Sequence, residues 1–237
     1  MQKQKVNSLI FKAFPLYFFD SCSLFLLSLK YAFPLTTFKE ILSTMPFDSE
    51  SEIEDQIFKD QDFSRESITE VVFENCRFEN CNFSEADLLD TTFRECHFEQ
   101  CNFTNTNVSG VAFQEVQFSG CKLLGIDFHD IRPMRLDMFF RETRLELCLF
   151  HGLNLSDTSF LKCEIIESEF MDTNLSQADF TESDLSRSRF RNANLQKAQF
   201  QTARNYRINP TENELKGARF SRMEIEGLLK DFGILLE

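Results

Sequence analysis

Through most of this chain a large apolar residue returns at every fifth position, and a small residue stands two places before it. The large positions run from Ile53 through Phe58, Phe63, Ile68 and Phe73 to Phe128, then from Phe140 to Phe200, giving 29 units in phase. Such a period excludes an ordinary helix: at about 100° per residue, five residues advance ~500°, so successive large side chains would spiral and form no face. The two inward positions lie two residues apart, as on one side of a strand. Each unit therefore reads as a short strand (in, out, in) followed by two polar corner residues. A chain built this way keeps turning, and it buries every Phe only by coiling around them.

The units Ala178-Asp179-Phe180 and Ala193-Asn194-Leu195 resemble the pentapeptide-repeat family, whose commonest unit reads A(D/N)LXX. The resemblance covers residues 50–203. It implies an all-β solenoid, a right-handed four-sided β-helix with about four units per coil and coils stacked ~4.8 Å apart. On that count about four coils precede Phe128 and a little over three follow Phe140.

One continuous repeat in 237 residues makes a single solenoid domain, expected over 45–203. Phe is extreme at 29, Trp is absent and only 7 glycines occur, so the core reads as a Phe/Leu ladder with little room for a pocket. Residues 1–44 lie outside the pattern and carry a net +3, whereas the rest carries −16. An upstream extension before a start at Met45, a degenerate signal segment and an unstructured leader all fit them. The abrupt change of composition at Met45 favours the first. The apolar run 14–29 contains Pro15 and Asp20 and is too short for a membrane span.

Seven of the eight cysteines, Cys76, Cys81, Cys96, Cys101, Cys121, Cys148 and Cys163, occupy the small inward position. Residues 20 apart stack, so Cys81, Cys101 and Cys121 form one file of small buried thiols. Parallel side chains in a file do not converge as a disulfide needs. A reduced, cytoplasmic protein without metal or cofactor is expected.

The phase breaks once, where Phe128 to Phe140 spans 12 residues instead of 10. A seven-residue unit around Arg132, Pro133 and Arg135 is expected to bulge from the wall there, either as a harmless insertion or as a recognition element. After Thr202 the chain leaves the spacing through Asn209-Pro210. Ser221-x-x-Glu224 reads as a capping box. It opens a short C-terminal α-helix whose stripe Ile225, Leu228, Leu229 and Phe232 caps the solenoid within residues 204–237.

No phosphate loop, catalytic triad or paired carboxylates in an apolar pocket occurs, so an enzyme is not expected. What remains is charge. Residues 45–128 hold 18 acidic and 5 basic side chains, while 129–237 hold 18 and 15. At the second corner position Asp55, Glu95 and Glu115 form one acidic file, and Glu70, Asp90 and Asp130 another, on adjacent faces. The same charge disfavours direct nucleic-acid binding.

An acidic repeat rod with one central disruption and a terminal segment Gly227-Leu-Leu-Lys-Asp-Phe-Gly-Ile resembles the bacterial fluoroquinolone-resistance (Qnr-type) proteins. That resemblance implies a DNA mimic that binds DNA gyrase and topoisomerase IV and dimerises through its C-terminal ends. The break here adds only two residues, less than the projecting loops of that group. A scaffold for another protein partner is the alternative.

Overall fold

A computed structural model describes residues 52–133 and 136–234. The expectations for residues 1–44 and Arg135 fall outside them. The chain forms a right-handed parallel solenoid of about eight turns. Four walls recur in order. The first carries strands Glu52–Glu54, Val72–Glu74, Thr92–Arg94 and Ala112–Gln114, paired in parallel with Phe73 beside Phe93 and Phe93 beside Phe113. The second holds Phe58, Phe78, Phe98, Phe118, Phe140 and Phe160 in one six-stranded sheet. Leu123, Leu145 and Ile165 align on the third wall, and Phe170 and Phe190 on the fourth.

The corners explain why the chain turns at each unit. Two residues after the large position, at every described unit but those ending in Asp130 and Thr202, the backbone enters the left-handed region, with φ between 50° and 63° at the non-glycine corners. This conformation costs an L-residue roughly 1–2 kcal/mol and is easiest for Asn, Asp and Gly. Leu147, at φ 54°, is the apolar exception. Where Asp or Asn precedes the large residue, its side chain folds onto the amide two residues on, as Asn82 does with Ser84 and Asp179 with Thr181. These local bonds tighten the corner into a turn.

The small inward position does more than save space. Its hydroxyl or thiol donates to the carbonyl of a large residue in the previous coil: Thr91 to Ile68 (2.6 Å), Thr106 to Phe83 (2.7 Å), Ser183 to Phe160 (2.6 Å), Cys101 to Phe78 (3.3 Å). A buried carbonyl left unpaired costs about 1–3 kcal/mol. Each such residue thus ties one coil to the next. The five-residue spacing by itself shows the size constraint but not this donor role.

The 12-residue break is absorbed as a coil of 22 residues, which places Phe140 beside Phe118 and Leu145 beside Leu123. The first-wall sheet ends at Ala112–Gln114, and its ladder resumes at Asn154 beside Asn174.

Past Thr202 the five-residue spacing lapses, yet the coil continues. Tyr206 and Ile208 take the two inward places, so Ile208 stands beside Phe190 at a separation of 18 residues. A longer step through residues 209–212 then restores the register at Glu214 beside Asn194. Asn213 fills the donor position, bonding the Phe190 carbonyl at 3.1 Å.

The expected C-terminal α-helix is instead two 3₁₀ turns, Ile225–Leu228 and Lys230–Phe232. Its supposed capping box is absent, because Ser221 accepts from the Met223 amide and no side chain caps the Ile225 turn. The reason lies at Gly227, whose carbonyl accepts from the Ile208 amide of the last coil at 3.0 Å. A side chain there would meet the Tyr206 carbonyl at 2.4 Å. Docking onto the coil edge overrides a helix already weakened by an interior glycine. Leu228 packs on the core, and Gly233 ends the second turn at φ 63°.

Candidate functional site

The acidic corners belong to the first wall. Asp55, Glu95 and Glu115 follow its strands, whereas Glu70, Asp90 and Asp130 sit at the corner that precedes it, so the two files edge one wall and do not occupy two. All six are exposed, and all but Asp130 hold the left-handed corner conformation. Successive members of a file stand one or two coil pitches of ~4.8 Å apart.

Their surroundings separate them. Asp55 accepts from the Asn75 amide at 2.7 Å. Asp90 is held by Arg132, whose Nη2 reaches its carbonyl at 2.5 Å and its carboxylate at 3.3 Å. Gly110 intervenes in this file, and a side chain there would strike the Asp90 carboxylate at 2.2 Å. The glycine therefore leaves the path for Arg132 open. Asp130 lies 2.9 Å from His129 Nε2. Glu70, Glu95 and Glu115 make no ion pair among the described residues. Beside Glu115, burial foremost and then that glutamate's charge raise the Asp137 carboxyl above its usual range.

Basic residues of this half are largely committed to the walls. Arg94 bonds Glu74 at 2.7 Å on the first wall itself, Arg65 bonds Glu85, and Arg77 bonds Glu79 and Glu99. Exposed pairs of this kind contribute little to stability, because water and salt screen them. Each pair cancels one acidic charge against one basic charge, so the unpaired file acids set the sign of the local field.

At the break, Arg132 folds back on the wall and Leu136 closes onto the Pro133 carbonyl at 3.4 Å. Pro133 is exposed, and Ile131 and Leu136 turn toward the core. At the other end the predicted stripe splits. Leu228 and Leu229 are half-buried, while Ile225 is 42% and Phe232 48% exposed. Met223 at 88% and Ile234 at 52% extend that apolar end.

The seven cysteines among the described residues are free and buried. Burial pushes the Cys148 and Cys163 thiols up to about 12, and Cys101, beside Cys121, also stands at about 12. These thiols stay protonated near neutral pH, which suits hydrogen-bond donation and not nucleophilic chemistry. Among the described residues no group of His, Cys, Asp and Glu is arranged to hold a metal ion, and no helix is long and apolar enough to cross a membrane.

A family model described as a pentapeptide repeat region matches residues 66–138 and 143–228. Among solved structures, QnrB1, a plasmid-mediated fluoroquinolone resistance protein, aligns at 18% identity and TM-score 0.52, covering 79% of this chain and 100% of its own. HetL from the cyanobacterium Nostoc sp. strain PCC 7120, a pentapeptide repeat protein involved in heterocyst differentiation regulation, aligns at 14% identity and TM-score 0.62, covering 78% and 92%. At these identities the likeness is one of fold. No curated protein matched the chain.

Proposed function

Because the chain belongs to the pentapeptide-repeat family, we propose that it is a non-catalytic binding protein whose acidic first wall occupies the DNA-binding groove of a type II topoisomerase. The observation that carries this reading is the set Glu70, Glu95 and Glu115, exposed without ion pairs at the two edges of one wall. They lie in the half of the chain that holds 18 acidic against 5 basic residues. Two rows of negative charge along a narrow rigid rod reproduce what a groove built for duplex phosphate attracts. QnrB1, which shares the fold, is a fluoroquinolone resistance protein; the corresponding role here is protection of DNA gyrase or topoisomerase IV from quinolones.

The exposed apolar end at Met223, Ile225, Phe232 and Ile234 supplies the surface for a second copy. Pairing there would hold two acidic walls at opposite ends of one longer rod. Pro133 and its neighbours at the 22-residue coil are the recognition element of this reading, since they are the irregular feature beside the acidic wall. The neutralisation of Asp90 by Arg132 favours a second reading, a scaffold for some other basic protein surface, because it thins one charge row.

Supercoiling by gyrase, with and without ciprofloxacin, tests the proposal when titrated with this protein. Protection from the drug, or inhibition relieved by added DNA, is the expected outcome, and it should weaken as salt rises. Absence of protection, inhibition and binding with both gyrase and topoisomerase IV would leave the scaffold reading.

A further inference from the structure

A groove of about 670 Å³, lined by four arginines and three carboxylates, opens on the fourth wall near the C-terminal end. Its origin is the irregular last coil: with Ile208 beside Phe190, the chain steps outward through Asn209 and Glu212 before rejoining the ladder. The Lys230–Phe232 turn closes the far side through Asp231.

Arginines line this groove in a fixed arrangement. Arg189 and Arg191 flank Phe190 on strand Arg189–Arg191 and both project outward, ~6.6 Å apart along the strand. The pairing of Phe190 with Ile208 sets Arg207 directly beside Arg189 on the next coil. Like charges in paired positions repel. Two of the four guanidiniums are held firmly at the rim: Arg187 by Glu167 at 2.6 Å and Arg207 by Asp231 at 2.5 Å. The inner two are loosely held. Arg189 is 3.3 Å from Glu169, a carboxylate that also lies 3.4 Å from His151, and Arg191 is 3.8 Å from Glu212.

We propose that this groove binds a compact polyphosphate group, two or three linked phosphates, between Arg189, Arg191 and Arg207. A planar guanidinium offers paired donors that match phosphate oxygens. Linked phosphates carry more charge than a single carboxylate and so compete with Glu169 and Glu212 for these loosely held guanidiniums. The volume lies within the range of small-molecule sites, about 300–1,000 Å³. Placement at the rod's end keeps the anion away from the acidic first wall.

Titration calorimetry of the full chain with pyrophosphate, tripolyphosphate and ATP, at constant ionic strength and without metal, tests the site. Saturable binding of one ligand per chain is expected, weakened at least tenfold in Arg189→Gln and in Arg191→Gln. Arg144→Gln, which removes an exposed arginine of the third wall, should bind as the parent does. Equal affinity for tripolyphosphate and ATP would support recognition of the phosphate chain alone, and tighter binding of ATP would support the same site extended to a nucleoside. The variants' melting temperatures without ligand should match the parent's, since both arginines are exposed. No saturable binding of any of the three would overturn the proposal. So would an equal loss in Arg144→Gln, or binding of single-stranded nucleic acid that pyrophosphate does not displace.

Discussion

In the coils before Phe128, three adjacent walls carry Phe together: Phe73, Phe78 and Phe83, then Phe93, Phe98 and Phe103. After Phe140, Phe alternates with Leu or Ile, so Phe160 and Phe180 on the second wall face Phe170 and Phe190 on the fourth, opposite it. Rings on neighbouring walls of the first tract meet edge to face, as Phe93 with Phe98 at 5.2 Å and Phe98 with Phe103 at 5.1 Å. Across the core of the second tract the rings meet at 6.1 Å for Phe160 with Phe170 and 6.4 Å for Phe170 with Phe180. The three-ring coils of the first tract carry Leu88 and Val108 on the fourth wall, and the second tract gives two walls to Leu or Ile. One backbone therefore accepts two core recipes, because large apolar side chains of somewhat different size and shape can fill the same inward places. The outer surface is a separate choice, acidic on one tract and nearly balanced on the other.

Phe98→Ala is the largest test of that contrast. It should cost roughly 3–5 kcal/mol, as core Phe truncations do. Phe98 stacks on Phe78 and Phe118 while meeting Phe83, Phe93 and Phe103 edge-on, so Phe170→Ala should cost measurably less in denaturant unfolding. The reverse order would break the two-recipe account.

Smaller effects sharpen the role of the small inward position. Ser183→Ala strips the Phe160 carbonyl of its donor and should cost about 1–3 kcal/mol. In Cys101→Ser the donor to Phe78 is kept, and the stability change should stay within about 1 kcal/mol. Comparable losses for the two would assign this position to size alone.

Acid should loosen the second tract around Asp184. Although burial opposes it, bonds from Ser186, Asn205 and Arg204 hold that carboxyl down at about 2. A depressed carboxyl contributes its full stability above the unfolded value of ~3.9 and loses it as pH falls toward 2. Melting temperatures recorded between pH 4 and 2 should fall more for the parent than for Asp184→Asn.

The smallest effect is a gain. Leu147→Gly relieves the left-handed corner at φ 54° and should raise stability by up to about 1 kcal/mol in thermal melts.

Much of this architecture was legible because a five-residue period admits few solutions. The inward file, the corners and the stacking at 20-residue separation all follow from spacing. What escaped the sequence depends on contacts between distant residues. Arg132 reaches Asp90 across 42 positions, over a glycine that marks the gap only once the coils are stacked. Tyr206 and Ile208 enter the core off the spacing, and the pattern that promised an α-helix at Ile225 took no account of the coil edge waiting for the Gly227 carbonyl. The donor role of the small position had a visible signal in the recurrence of Cys, Thr and Ser where Ala would fit.

The contrast between the two outer surfaces carries the functional claim, and a matched pair of charge reversals tests it directly. In one variant Glu70, Glu95 and Glu115 become Lys; in the other Glu142, Asp172 and Glu182 do, which are exposed left-handed corners of the second tract. Affinity of each for the complete gyrase heterotetramer is read by surface plasmon resonance, with competing duplex DNA. The account predicts that the first variant loses binding while the second binds and competes as the parent does. Equal loss in both, or binding retained by the first, would contradict it.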